Sequence, residues 1–400
     1  MIVWKTGKVT AVLRTAIGLQ EVRVRTASGE VADAIHYTDE LPPLREGDEV
    51  LLNTTAVELK LGTGGYHFVH AAWNPNDGGD GGEDVVAAAG APGAACAGHL
   101  MKLRYTSLQR AVLAAEEPAS PHHELFLRGR LTLGGMPVLI GDVHSVLPVA
   151  TAWLRHAERH HRAGEKGGGR ENSGKRLRIA YVMSDGGALP LALSRHVAAL
   201  RACGWLTGAI TYGHAYGGDV ETVNKFTALL AARHVLRADV AIAVMGPGHA
   251  GTGTPLGHSG MEAGELVNAA AALGGVPVVI PRLSFADRRE RHLGISHHTL
   301  ESLGTAAFAR AVVPLPDGLS GDKRLFLERQ LAESGLAGRH DIRWLPAPSP
   351  DEIGESLAQY PLPVSTMGRS FRDDPAFFQA VCAAAQLSLR LCRESAEVRT

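Results

Sequence analysis

Asp239-Val240-Ala241-Ile242-Ala243-Val244-Met245-Gly246-Pro247-Gly248-His249-Ala250-Gly251-Thr252-Gly253-Thr254 is the stretch that decides the fold. Its first half is a short, continuously apolar run that predicts a buried strand, Val240–Met245. Its second half is a Gly/Thr loop leading to Ser259-Gly260-Met261-Glu262, whose capping-box form predicts the start of the next helix. Strand, glycine-rich loop and helix in that order are the usual layout of an anion or nucleotide site. Glycine lets backbone N–H groups approach a ligand, threonine hydroxyls add donors, and a helix N-terminus favours negative charge.

The same alternation extends to both sides of this stretch. Leu177–Met183, Ala209-Ile210-Thr211, Val276–Ile280, Ala311-Val312-Val313 and Ile342–Leu345 read as strands, with Pro137–Ile140 as an earlier one. Between them apolar residues recur at helical spacing: Leu189, Leu193, Val197 and Leu200; Val220, Val223, Phe226 and Leu230; Leu266, Ala269, Ala270 and Leu273. Further helices are predicted over about 299–309 and over Phe326–Ser334. Near-continuously apolar strands alternating with helices predict an α/β fold with a doubly wound, mainly parallel sheet covered on both faces.

Residues 1–72 read differently. Val9, Ala11 and Leu13 alternate with polar positions, as do Val22 and Val24, then Ala32, Ala34 and His36, and a turn at Gly47-Asp48 leads into Glu49–Leu52. Short strands at this spacing predict a small N-terminal β-barrel-like domain of SH3 or OB type. Residues 73–98 are a Gly/Ala/Pro-rich connection, and 99–400 form the α/β domain, with a polar, solvated insertion near 156–176 that includes His160-His161.

The charge is balanced, with 40 Lys plus Arg against 41 Asp plus Glu, which argues against nucleic acid or an anionic membrane as partner. The four cysteines show no CxxC pair and no metal-ligand spacing, as expected in a reducing compartment. Met1–Lys5 breaks into charge at once, and no apolar run is long enough for a membrane span. The reading is a soluble cytoplasmic protein that takes a small anionic ligand; a homo-oligomer is left open.

Ligands of an open parallel sheet bind outside the carboxyl ends of its strands. Gly141–Ser145, Ser184–Ala188, Tyr212–Asp219, Gly246–Gly260 and Arg282–Arg288 follow the strands, with Ser296–Thr299 shortly after, and together they predict one cleft. Gly186, Gly187, Gly246, Gly248, Gly251, Thr252, Gly253, Thr254 and Arg282 are its ligand-binding candidates, Arg282 as one of several arginines able to clamp a phosphate or carboxylate. Asp185, His214, Asp219 and His297 are the catalytic candidates, as acid/base or orienting groups. Each has a plainer alternative. Asp185 and Asp219 also suit turns or helix caps, and of the adjacent His297 and His298, about 100° apart on a helix, one is expected to pack or cap.

Better-known site types fit poorly. Thr252 and Gly253 stand where a Walker A loop needs Lys and Ser/Thr, the glycines miss the GxGxxG register, and there is no GxSxG elbow. Asp142-Val143-His144 resembles the first ligand motif of binuclear metallophosphatases, but the GNH[ED] motif of that family is absent. No residue is assigned to a metal, and no cofactor is named.

Taken in order, these segments resemble a bacterial family catalogued as domain of unknown function 3866. The resemblance rests on Leu52–Ala56 with Gly62–Val69, Lys102–Thr106, Ser184–Pro190, Gly213–Ala215 with Gly217–Asp219, Met245–Gly248 with Gly251–Thr254, and Ser296–Leu300. It covers nearly the whole chain and implies no particular activity. The expected function is an enzyme acting on a nucleotide or other phosphorylated compound. A non-catalytic ligand-binding or regulatory protein and a metal-dependent hydrolase are the alternatives.

Overall fold

The computed structural model describes residues 2–38, 41–61, 65–73, 98–165 and 176–397. Most of the 73–98 connection, Gly62–Gly64 and residues 166–175 of the polar stretch lie outside these. The chain divides into two compact units, Met1–His123 and Glu124–Thr400.

The first unit is a closed five-stranded barrel: β1 (Trp4–Ala16), β2 (Leu19–Thr26), β3 (Val31–Tyr37), β4 (Glu49–Asn53) and β5 (His67–Trp73), in the order β1-β2-β3-β5-β4. Val9, Val22, Val24, Ala34, Val50, Leu52 and Val69 fill it. The alternation expected for β1 stops at Val9: register shifts follow between Val9 and Ala11 and between Val12 and Arg14, and from Val12 onward both faces of the strand are exposed, Leu13 included. A hairpin of β6 (Leu100–Lys102) and β7 (Arg110–Val112) completes the unit. Buried Asn53 donates to the carbonyls of Ser107 and Gln109 at 2.9 and 2.8 Å and accepts from the Thr55 hydroxyl at 2.7 Å. The polar run Asn53-Thr54-Thr55 is thereby an internal fastening.

The second unit is built on an eight-stranded sheet in the order β11-β10-β9-β12-β8-β13-β16-β17, parallel at every pair. Its strands are β8 (Pro137–Gly141), β9 (Ile179–Ser184), β10 (Gly208–Thr211), β11 (Val220–Glu221), β12 (Val240–Met245), β13 (Val276–Val279), β16 (Val312–Asp317) and β17 (Asp341–Pro346), while β14 (Leu283–Ser284) and β15 (Gly294–Ile295) pair separately as a small antiparallel sheet. Helices Val146–Glu165, Arg195–Ala202, Pro350–Ala358 and Pro375–Glu397 pack on one face through Leu147, Leu154, Val197, Ile353 and Phe378. Helices Lys225–His234, Glu262–Ala272 and Gly321–Ser334 cover the other through Leu229, Leu266 and Leu327. This is the doubly wound α/β architecture.

Three local readings need correction. Val220 is a strand residue, and Val223 and Phe226 are exposed, because Asn224 starts the helix by accepting from the backbone N–H groups of Phe226 and Thr227. The helix expected over 299–309 spans His297–Glu301 and passes into one π-helical turn, Ser302–Ala306. The polar stretch after Arg155 begins as the last turns of helix Val146–Glu165. That helix holds Arg155 buried, with its guanidinium on the carbonyls of Trp205 and Leu177. Among the described residues no helix is long and apolar enough to cross a membrane.

Candidate functional site: a histidine cluster at the strand ends

β8 and β12 are neighbours, yet their connections leave in opposite directions. β8 is followed by helix Val146–Glu165 on one face and then by β9, whereas β12 is followed by helix Glu262–Ala272 on the other face and then by β13. Adjacent strands that diverge in this way open a crevice at their carboxyl ends. Asp142 follows β8 there, His249 and His258 lie on the loop after β12, and Arg282, His292, His297 and His298 follow β13.

These side chains converge. The rings of His249, His258 and His298 stack at centroid distances of 4.4 Å (His249–His298) and 4.0 Å (His258–His298). One ligand atom from each lies within 4.8 Å of the other two, a spacing that modest side-chain rotation closes onto an ion with metal–nitrogen bonds of about 2.0–2.1 Å. Asp142 Oδ2 lies 3.8 Å from His298 Nδ1.

The hydrogen bonding identifies what these rings offer. His249 Nδ1 is 3.1 Å from the Asp142 carbonyl oxygen. A carbonyl only accepts, so Nδ1 carries the proton and Nε2 presents its lone pair. That Nε2 is buried without a hydrogen-bond partner, as are Oδ2 of Asp142, Nε2 of His297 and Nη2 of Arg282, and the His258 ring makes no well-formed hydrogen bond, only a weak approach to the Pro255 backbone. Buried polar atoms are nearly always satisfied, so the unpaired lone pairs of His249 Nε2 and Asp142 Oδ2, beside the one lone-pair nitrogen of a neutral His258, mark a place for something that accepts electron pairs, while Arg282 Nη2 can only donate. Burial, followed by the mutual proximity of the imidazoles, pushes His258, His297 and His298 below the usual histidine range and keeps them neutral, the state that ligates metals.

The Gly/Thr loop supports this cluster. Thr252 Oγ1 is 2.9 Å from Thr254 Oγ1 and donates to the Gly257 carbonyl at 3.0 Å, while the Gly257 N–H donates to Thr254 Oγ1 at 3.2 Å. The threonines are thus spent on closing the loop and aligning Gly251 with His258. A Cβ on Gly260 would stand 2.9 Å from His258 Nδ1 and 3.1 Å from His249 Cε1, so glycine is needed for the backbone to pass the rings. The capping box expected at Ser259 does not form. Ser259 Oγ accepts from the Ala250 N–H instead, and helix Glu262–Ala272 starts with no side-chain cap.

Of the predicted site residues, His297, Arg282 and Gly251 belong to the cluster. Gly246 and Gly186 pack against the Met183 and Met245 side chains respectively. Gly187 abuts Leu189, Gly248 has φ +101°, and Gly253 has a Cβ position 3.1 Å from Arg291 Nη1. Asp185 accepts from the Ala215 N–H at 2.9 Å and so anchors the turn that carries His214. Asp219 lies away from the crevice: it accepts from the N–H of Ala209, early in β10, at 2.7 Å and pairs with Arg201. His144 also stands apart. Its Nδ1–H donates to the Met245 carbonyl and its Nε2 accepts from the Ser194 hydroxyl at 2.7 Å, so both nitrogens are used. Arg289 is paired with Asp287.

The sequence reading assigns no metal ligand: it meets Asp142 in an Asp-Val-His motif and His298 beside His297, and gives His249 and His258 no role of their own. The signal available was two histidines within a glycine-rich loop after one strand and a His-His pair after the next.

The fold and the cluster define a doubly wound α/β protein with a metal-type side-chain set at its switch point. The chain belongs to the family described as a protein of unknown function (DUF3866), which matches residues 33–385. No curated protein and no solved structure matches it.

Proposed function

We propose that the protein is a metal-dependent hydrolase of a small anionic molecule, with a divalent transition ion held by His249, His258, His298 and Asp142. The observation that carries this reading is the set of buried lone pairs without partners, His249 Nε2 with the one lone-pair nitrogen of neutral His258, beside the unpaired Asp142 Oδ2. Three imidazoles and a carboxylate suit zinc and its neighbours rather than magnesium or calcium. Such an ion lowers the pKa of a bound water toward neutrality and polarises an oxyanion.

The protein groups do the rest. Neutral imidazoles and one carboxylate leave the loaded centre with net positive charge, and Arg282 adds another positive charge while only 6% exposed. Arg282 Nη1 donates to His298 Nδ1 at 3.3 Å, a bond that an ion on that nitrogen would replace, and Nη2 has no partner, which leaves the guanidinium for a phosphate or carboxylate oxygen. His297 Nε2, unpaired beside the three ligands, can give or take a proton at a leaving or attacking oxygen.

Metal content of the purified protein, with zinc- and manganese-dependent hydrolysis of a panel of phosphate esters, tests this. Stoichiometric metal and turnover abolished both by chelator and by His298→Ala are expected. Absence of stoichiometric metal sinks the reading, and tight anion binding without turnover makes the protein a ligand-binding one.

A further inference from the structure

A second group of metal-type side chains lies on the sheet face covered by helices Val146–Glu165 and Pro350–Ala358. His156 and His160 are four residues apart on the first helix, which puts both rings on one side, with centroids 4.2 Å apart. Glu355, on the second helix, completes the set: one ring nitrogen from each histidine and a Glu355 carboxylate oxygen lie within 4.8 Å of one another. We propose that His156, His160 and Glu355 bind a divalent transition ion that clips the two helices together.

The setting favours ligation over packing. His156 is buried against Trp153, with ring centroids 5.3 Å apart, so its position is fixed by the core. Its Nδ1 is 3.4 Å from Gln359 Nε2, and the amide turned over about its last bond would present its oxygen in the same place. With the oxygen presented, Nδ1–H donates and Nε2 is left for the ion, the arrangement in which an outer partner orients a ligating histidine.

The neighbouring carboxylate has another task. Glu352 accepts from the Ser349 N–H and hydroxyl at 2.8 and 2.7 Å and closes the capping box of its helix. Glu355 is exposed and, among the described residues, makes no hydrogen bond or ion pair that would hold it elsewhere. Two imidazoles and one carboxylate, with water in the remaining positions, suit zinc, nickel or copper. This site shares no residue with the strand-end cluster.

Calorimetric titration of the full chain with zinc and with nickel, for wild type, His160→Ala and Glu355→Gln, tests the assignment. Both substituted side chains are exposed, so folding is not at stake. Wild type is expected to bind one more ion per chain than His160→Ala, and Glu355→Gln to bind that ion at least about tenfold more weakly. The rise in Tm with excess nickel should shrink in both variants, because an ion that binds only the folded state stabilises it. Equal stoichiometry and affinity in wild type and His160→Ala overturn the proposal. If the strand-end centre fails and this site holds, wild type binds one ion and His160→Ala none.

Discussion

His249 Nδ1 donates to the main-chain carbonyl of Asp142 at 3.1 Å, a hydrogen bond that spans two neighbouring strand ends and turns Nε2 of the same ring into the crevice with its lone pair free. One contact therefore fixes a tautomer and an orientation. It ties the loop after β12 to the residue after β8, whose side chain faces the same cluster.

If the unpaired nitrogens await an ion, they cost stability without one. His258→Leu removes a buried imidazole that makes no well-formed hydrogen bond, and a buried unsatisfied polar group costs about 1–3 kcal/mol. In chelator its Tm should equal or exceed that of wild type. With zinc at about a hundred times Kd for the strand-end centre, wild type gains about 2.7 kcal/mol more than the variant, which keeps only the stabilisation from any other site. Thermal denaturation with and without zinc checks both arms; a variant clearly less stable than wild type in chelator argues against the unpaired state of His258.

Thr252→Val separates a loop that supports histidines from one that cradles phosphate. Its hydroxyl is engaged with Thr254 and Gly257. Zinc affinity should fall about tenfold, as for other groups that orient ligands. Phosphate affinity at saturating zinc should hold. The reverse pattern in paired titrations would restore the phosphate-loop reading.

Arg282→Gln should leave zinc content unchanged. Inhibition of the zinc-loaded protein by inorganic phosphate or pyrophosphate should weaken about tenfold or more, in line with about 1.5–3 kcal/mol for a hydrogen bond to a charged group. Unchanged inhibition would remove Arg282 from the anion site.

Asp185 is expected to act through the turn it holds. Asp185→Asn keeps an oxygen for the Ala215 N–H and should leave Tm and turnover near wild type, while Asp185→Ala should cost about 1 kcal/mol. Loss of turnover in Asp185→Asn at unchanged Tm would return Asp185 to the catalytic set.

Acid should destabilise the fold, and His340 gives the sign. Burial depresses its pKa. Nδ1 accepts from the Ala311 N–H at 3.3 Å and Nε2–H donates to the Leu303 carbonyl, so the neutral ring is the fitting one. The unfolded chain takes up a proton at about pH 6.5, but the folded chain resists until lower pH. The contribution is complete above that value and falls away as pH drops from it toward the folded pKa. Urea midpoints between pH 7.5 and 5 should decline less in His340→Gln than in wild type.

The parallel sheet was legible because its strands are short apolar runs: every sheet strand from Leu177 onward except the two-residue β11 was visible, as was β8. Helix Pro375–Glu397 was not. It lies against both helix Val146–Glu165 and the sheet, and Phe377, Phe378, Val381 and Ala384 are buried there. Asn224 decided by its cap what periodicity alone misread.

By itself the sequence determined that β8, β12 and β13 are strands and that polar loops follow them, since strand formation depends on local apolar pattern. Only the tertiary structure decided that those three strands lie side by side, with the chain from β12 passing over β8 to reach β13. That crossover gathers Asp142, His249, His258, Arg282 and His298 from distant parts of the chain. It also leaves His249 Nε2, Asp142 Oδ2 and Arg282 Nη2 buried without hydrogen-bond partners, and spacing along a chain carries no record of either.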